Sequence, residues 1–269
     1  MAIRVAEQAV VYPQAELDDE VEVGHFCAIG AGARIGRGTR LESHVAILGR
    51  VTIGRENRIW PGVTIGGEPQ DVSYRGAETQ VIIGDHNILR EGVTINRATE
   101  KEDGVTSLGN HNFLMACSHV AHDCKLGDHI IMANGTLLGG HVHVHDHASI
   151  SGGVGVHHFA TIGAYSFVAG LSRVLQDVPP YLLVDGHPTR PRCINVVALK
   201  RHAFDRAAIE SLSEAHRLLY RSKVGLEHAR EILKSNDHVS GEVMHLLAFV
   251  QNQQDGKHGR ARERSRRAA

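Results

Sequence analysis

Aliphatic residues return at every sixth position over most of the chain. Stepping by six from Val11 gives Leu17, Val23, Ile29, Ile35, Leu41, Ile47, Ile53, Ile59 and Ile65 without exception. The rhythm resumes at Ile83, Leu89 and Ile95. It then restarts at Leu108 and runs through Leu114, Val120, Leu126, Met132, Leu138, Val144, Ile150, Val156, Ile162 and Val168 to Val174. Neither a helix, with a period of about 3.6, nor a single strand, with a period of about 2, gives this pattern. The residue two before an anchor is small or β-branched in many repeats, as at Cys27, Ala33, Thr39, Val45, Val51 and Val63. The residue after an anchor is often Gly. A period of six predicts a triangular β-solenoid in which each repeat forms one flat side and a turn, and three sides close a coil of about 18 residues. The anchor and the residue two before it should point inward, and the glycine should ease the turn.

Two segments interrupt the rhythm and are expected to leave the prism as loops, at 66–80 and 98–107. Ejected loops of this kind are where function commonly sits. The prolines of "QDVPPYLLVDGHPTRPR" are expected to end the coil after Val174. Beyond them, Ile209, Leu212, Ala215 and Leu219, then Leu226, Ala229 and Leu233, then Val243, Leu246, Leu247 and Val250 follow helical spacing. The reading is a β-solenoid over 1–190, a helical domain over 191–256, and a basic, disordered tail over 257–269. The pattern resembles the hexapeptide-repeat proteins, and that resemblance implies a left-handed parallel β-helix, mainly β, with the helical domain at its C-terminal end.

Composition sharpens this reading in three places. Aromatic residues make up only 4% of the chain, so the core of the prism is expected to be filled by aliphatic side chains. The formal net charge is −1, but the last 13 residues hold six Lys/Arg against one Glu, leaving a body of −6. With no aromatic residues among those charges, the tail is read as a solvated end and not as a nucleic-acid site. No apolar run approaches the roughly 18 residues of a membrane span, and Arg4 and Glu7 interrupt any signal-like stretch, so a cytoplasmic protein is expected. The four cysteines form no CxxC pair, and Cys27 and Cys124 fall on the inward small position as core filler.

The candidate chemistry lies in "CSHVAHDC", residues 117–124. Stacking places residues one coil apart in a column, so His122, Gly140 and His158 align, with Asp123, His141 and Phe159 beside them. Gly140 should leave a gap between the two imidazoles, about 10 Å apart, floored by backbone. Such a site suits general-base chemistry: the histidine accepts a proton near neutral pH and the carboxylate fixes its tautomer. A backbone N–H at the glycine could stabilise an oxyanion. The outward histidines His25, His44, His86, His143, His145 and His147 read as polar surface. Zinc held by stacked histidines, as in gamma-class carbonic anhydrases, and a purely structural prism remain the other readings at this point.

Several segments resemble one family closely, the UDP-N-acetylglucosamine acyltransferases that begin lipid A synthesis. They are "IGGEPQDVSY" (65–74), "VTINRATE" (93–100), "SHVAHDCKLG" (118–127), "GGHVHV" (139–144), "GGVGVHHFATIGAYSFVAG" (152–170), "QDVPPY" (176–181), "NVVALKR" (195–201) and "LLYRS" (218–222). The resemblance implies transfer of an (R)-3-hydroxyacyl group from acyl carrier protein to the glucosamine 3-position of a UDP-sugar, by a homotrimer, with no metal or cofactor. It implies His122 as catalytic base, Asp123 as its orienting carboxylate and Gly140 as oxyanion donor. It places Asp71, His119, His141 and His157 at the sugar nucleotide, where the column of His122 adds His158, with Gly170 at the limit of the acyl chain and Asn195 and Arg201 at the uridine diphosphate of a neighbouring subunit. Ser73, Asn96, His158, Val197 and His202 depart from the family's pattern, where Lys, His, Gln, an acidic residue and Arg are usual. A sister N-acyltransferase acting on an already acylated UDP-glucosamine is the alternative enzyme. Acyl carrier proteins are acidic, so Arg201, Arg217, Arg221 and Lys223 are candidate docking cations.

Overall fold

The computed structural model describes residues 2–236, 239–257 and 259. The basic tail, apart from Lys257 and Gly259, therefore lies outside the described residues.

Short strands form wherever the six-residue rhythm runs, and each anchor is the inward residue of its strand. Glu22–Val23, Ala28–Ile29 and Ala33–Ile35 make the three sides of one coil. The next coil stacks on them in parallel, pairing Val23 with Leu41, Ile29 with Ile47 and Ile35 with Ile53. Repetition gives three sheets, of eleven, nine and eight strands among the described residues. The interior is one continuous stack of anchors, with Ile29, Ile47, Ile65 and Ile95 at most 2% exposed. The residue two before the anchor is buried as well, from Val21 to Ala160. Where that inward residue is polar it is paired along the stack. The Asn57 Oδ1 accepts from the Asn87 backbone N–H at 2.8 Å, and the Asn87 Oδ1 accepts from that of Asn112 at 2.9 Å. This ladder satisfies amides that burial would otherwise penalise.

The turns differ from the sequence expectation in an instructive way. The residue with positive φ is the third after the anchor, and it is often not glycine: Asp123 (60°), His141 (61°) and Phe159 (66°) adopt this conformation. The glycine directly after the anchor serves close approach. A Cβ on Gly36 would lie 2.7 Å from the Gly54 carbonyl oxygen of the next coil, and one on Gly84 would lie 2.8 Å from that of Gly109. One corner column carries stacked imidazoles, His86, His111, His129 and His147, with centroids 4.7 to 4.9 Å apart and planes within 6°. These side chains are a ring ladder at the coil spacing, continued by Tyr165 at 4.6 Å, and not isolated polar surface.

The prolines do not stop the solenoid at Val174. Val178 still bridges to Ile162, and Leu182–Asp185 adds a parallel rung on Phe167–Val168 before Arg190–Ile194 turns back antiparallel. Helices α1 (Val196–Arg201), α2 (Arg206–His216), α3 (Leu226–Ser235) and α4 (Gly241–Gln254) follow, with a π-helical turn at Arg217–Arg221 after α2. Asn195, Asp205 and Ser240 cap α1, α2 and α4 through side-chain oxygens, which fixes where each begins. Their apolar faces (Leu199, Leu212, Ala215, Leu233, Val243, Leu246) share a second core with Tyr181 and Leu182 of the last rung. No helix among the described residues is long and apolar enough to cross a membrane.

Candidate active site

Both ejected loops leave from the same corner of the prism. The strand Thr64–Gly67 precedes the first loop and Thr94–Asn96 the second, and the chain re-enters at Gln80–Ile83 and Val105–Leu108. Those strands stack on each other, so the two loops lie one above the other. Arg97 ties them together, donating to the Gly66 carbonyl at 3.1 Å and lying over the Tyr74 ring. The column of His122 and Gly140 occupies this same corner, because their anchors Val120 and Leu138 follow Ile95 in the same sheet.

Here the sequence expectation needs a correction. The space above Gly140 is not a gap between His122 and His158. The His122 imidazole lies over the glycine, and a Cβ there would be 2.5 Å from its Cε1. The missing side chain makes room for the ring.

Asp123 anchors that ring from below. Its carboxylate is fully buried and lies 2.8 Å from the Nδ1 of His122. It also accepts from the Thr99 hydroxyl at 2.7 Å and from the Thr99 backbone N–H, while its own N–H donates to the Thr106 hydroxyl at 2.9 Å. Burial alone would raise the Asp123 carboxyl, but the hydrogen bonds from His122 and Thr99 outweigh it and hold the group below the usual carboxylate value. An ionised Asp123 keeps the proton of a neutral His122 on Nδ1 and leaves Nε2 as the reactive nitrogen.

Around this pair lie two cavities sharing His122, Gly139, Gly140 and Gln70. The larger, about 780 Å³, adds Asp71, Lys101, His141, His158 and Phe159; the smaller, about 440 Å³, adds His119, Leu137, Gly155, His157 and Arg173. Asp71 accepts from the Ser73 hydroxyl at 2.7 Å and pairs with the Lys101 ammonium, which holds its carboxyl well below the usual range. His119 bonds Thr94 at 2.7 Å, and burial together with the nearby His122 pushes it below the usual histidine value. The His157 and His158 rings pack at 3.7 Å. The N–H groups of Gly139 and His141 donate to the carbonyls of Val156 and His122, whereas that of Gly140 donates to no backbone carbonyl among the described residues.

Thus His122, Asp123, Gly140, Asp71, His119, His141, His157 and His158 come together within one chain. Gly170, Asn195 and Arg201 do not. Gly170 follows Val168 of the eleven-stranded sheet, on a different corner from Gly140. Asn195 caps α1 and donates to the Tyr165 carbonyl at 2.8 Å, and Arg201 ends that helix. Sequence reasoning missed Thr99, Lys101 and Glu102 of the second loop, each of which touches a site residue. The signals for them were the break in the hexad rhythm and, for Thr99, the family-like segment 93–100. Donor atoms of His122, Asp123 and His141 lie within 4.8 Å of one another and could enclose a metal ion. The Nδ1 of His122 faces Asp123, so a metal bound at that nitrogen would displace the bond, whereas one bound at Nε2 would leave it in place.

Comparison with known proteins agrees with the architecture. A family model described as UDP-N-acetylglucosamine O-acyltransferase, domain 2, matches residues 177–259, and one described as bacterial transferase hexapeptide (six repeats) matches residues 32–67. The acyl-(acyl-carrier-protein)–UDP-N-acetylglucosamine O-acyltransferase of Syntrophobacter fumaroxidans is 43% identical over 255 residues, covering 94% of this chain and 99% of its own. The enzyme of the same name from Thermodesulfovibrio yellowstonii is 44% identical over 252 residues, covering 94% and 98%. Among solved structures, the Francisella novicida UDP-N-acetylglucosamine acyltransferase superposes with a TM-score of 0.86 at 40% identity, covering 91% of this chain and 90% of that one. The Bacteroides fragilis acyltransferase gives 0.89 at 34% identity, covering 92% and 97%. With such identity along nearly its whole length, the chain belongs to the UDP-N-acetylglucosamine O-acyltransferase family.

Proposed function

We propose that the protein transfers an (R)-3-hydroxyacyl group from acyl carrier protein to the 3-hydroxyl of UDP-N-acetylglucosamine, with His122 as general base. The observation that carries this reading is the 2.8 Å contact of His122 Nδ1 with the buried Asp123 carboxylate, at the junction of two cavities. The Nε2 of His122 takes the 3-hydroxyl proton as the sugar oxygen attacks the thioester carbonyl carbon. The carbonyl oxygen becomes an oxyanion, for which the Gly140 N–H is the available backbone donor. When the intermediate collapses, the C–S bond breaks and the departing thiolate of the carrier's prosthetic arm recovers the proton from the His122 imidazolium. Asp123 stays ionised throughout and stabilises that imidazolium.

In this reading Asp71, His119, His141, His157 and His158 hold the sugar nucleotide in the two cavities. Asn195 and Arg201, remote from the site in one chain, reach the uridine diphosphate bound at a neighbouring prism, and Gly170 likewise meets the acyl chain across an interface. On this reading the working unit is a homotrimer, acting in the cytoplasm. Its acidic carrier partner docks near the cations of the helical region, where Arg217 is already engaged by Glu214 and Arg201, Arg221 and Lys223 are exposed. Incubation with a panel of UDP-sugars and hydroxyacyl carrier proteins, with products weighed by mass spectrometry, tests the reading. It predicts a UDP-N-acetylglucosamine product heavier by one hydroxyacyl group. Acylation confined to an already 3-acylated UDP-glucosamine would assign the sister enzyme instead.

A further inference from the structure

The second ejected loop does more than leave the prism. Within four residues it delivers Thr99 to Asp123, Lys101 to Asp71 and Glu102 to His141. The last contact is the least expected. Glu102 places Oε1 3.1 Å from the Nδ1 of His141, an ion-pair distance that falls short of hydrogen-bond alignment, and both side chains are largely buried, at 18% and 5% exposed. The opposite nitrogen, Nε2, lies 3.7 Å from Asp123 Oδ2. The ring face stacks on Phe159 with centroids 4.4 Å apart and planes 2° apart, and its edge meets His122 in a T-shaped contact at 5.2 Å. The imidazole is therefore fixed in plane and in rotation: turning it over would set ring carbons against two carboxylates.

We propose that Glu102 is a positioning residue that holds His141 with its proton on Nδ1. The Nε2 is then an acceptor at the wall of the 780 Å³ cavity. A neutral imidazole has one proton to give, and the two carboxylates compete for it. Asp123 already accepts from His122 and twice from Thr99, whereas Glu102 is the nearer carboxylate. Glu102 takes the proton, and the lone pair on Nε2 can receive a hydroxyl or amide N–H of the acceptor sugar. The consequence for binding rests on the acyltransfer reading; the tautomer assignment does not.

Two measurements separate these parts. In nitrogen-15 NMR of the wild-type protein, His141 is expected to carry its proton on Nδ1. In Glu102→Gln, whose amide can donate to Nδ1, the proton should move to Nε2. Kinetically, Glu102→Gln should raise KM for UDP-N-acetylglucosamine about 10-fold with a much smaller change in kcat, the scale at which orienting partners act. Glu102→Asp should recover part of this loss. In a His141→Asn background the Glu102→Gln change should cost less than about twofold, because the residue it acts through is gone. An Nε2-protonated His141 in the wild type, an unchanged tautomer in Glu102→Gln, or a full and additive KM effect in the His141→Asn background would each overturn the proposal. If the wild-type protein fails to acylate UDP-N-acetylglucosamine at all, the functional reading falls, and the NMR comparison still decides the role of Glu102.

Discussion

The His122 ring rests on the α-carbon of Gly140, filling the volume that any side chain at 140 would claim: a methyl group there would lie 2.6 Å from Nε2. The base and the candidate oxyanion donor are thus in contact, and the identity of one constrains the position of the other. Asp123 holds the far side of the ring, so a push from Gly140 cannot be absorbed by a simple slide.

Gly140→Ala should therefore be far more damaging to chemistry than to folding. The glycine is outside the set with positive φ, so alanine fits its backbone, but the added methyl displaces the imidazole. A displacement near 1 Å at a reacting group can cost about 100-fold in rate. The expected result is a fall in kcat of that order with little change in melting temperature. Wild-type kcat in the variant would mean that the His122 position seen here is not the one used.

Stability should carry the signature of Asp123. Its carboxyl lies below the ordinary value of 3.8 in the folded protein, so the unfolded chain binds the proton more readily. The stabilisation is complete above about pH 4 and disappears as pH falls through the depressed folded value. Melting temperatures between about pH 6 and pH 3 should fall more steeply for the wild type than for Asp123→Asn, which is expected to be less stable at neutral pH. Parallel curves for the two proteins would show that Asp123 does not contribute this way.

Much of the fold could be read from the anchors alone, because an inward aliphatic every sixth residue leaves few other solutions. The alignment of His122 with Gly140 followed from the same arithmetic. What the arithmetic lacks is side-chain direction: it left a gap above Gly140 that the His122 ring fills. It also misassigned the glycines, since close approach of coils and positive φ fall on different positions of the repeat. The stack of His111, His129 and His147 was available at one-coil spacing, but His86 was masked by the inserted loop. Thr99, Lys101 and Glu102 could not have been placed from sequence, because an ejected loop has no period and its contacts depend on where the coil returns it.

If sites are shared between prisms, two inactive proteins should complement each other. His122→Ala would remove the proposed base from one chain, and Arg201→Ala the uridine-diphosphate contact proposed for a neighbour. Mixed under conditions of subunit exchange, they should regain a measurable fraction of wild-type turnover, and sedimentation should give a trimer. An active monomer, or an exchanged mixture with no recovery, would place all substrate contacts within one chain.

Acyl length is expected to respond to position 170. A Cβ on Gly170 would meet the Gly152 carbonyl oxygen at 3.6 Å, an ordinary contact, so a larger side chain can be built there without moving the coil. Gly170→Met should close the far end of the acyl groove and shift preference from donors of about fourteen carbons toward about ten, since each buried methylene is worth about 0.8 kcal/mol only where there is room for it. The ratio of kcat/KM for the two donors should change by at least about 10-fold. An unchanged ratio would send the acyl chain along another path.

In the proposed reaction a single imidazole, that of His122, moves the proton in acyl transfer. The most direct test of this role is kcat of purified His122→Ala with saturating UDP-N-acetylglucosamine and hydroxyacyl carrier protein. Loss of the base should lower kcat by at least about 100-fold in a protein that still folds, with a moderate fall in melting temperature because the buried Asp123 carboxylate keeps its Thr99 hydrogen bonds and loses the one from His122. Turnover close to wild type in a folded His122→Ala protein would contradict the assignment and, with it, the mechanism built on the His122–Asp123 pair.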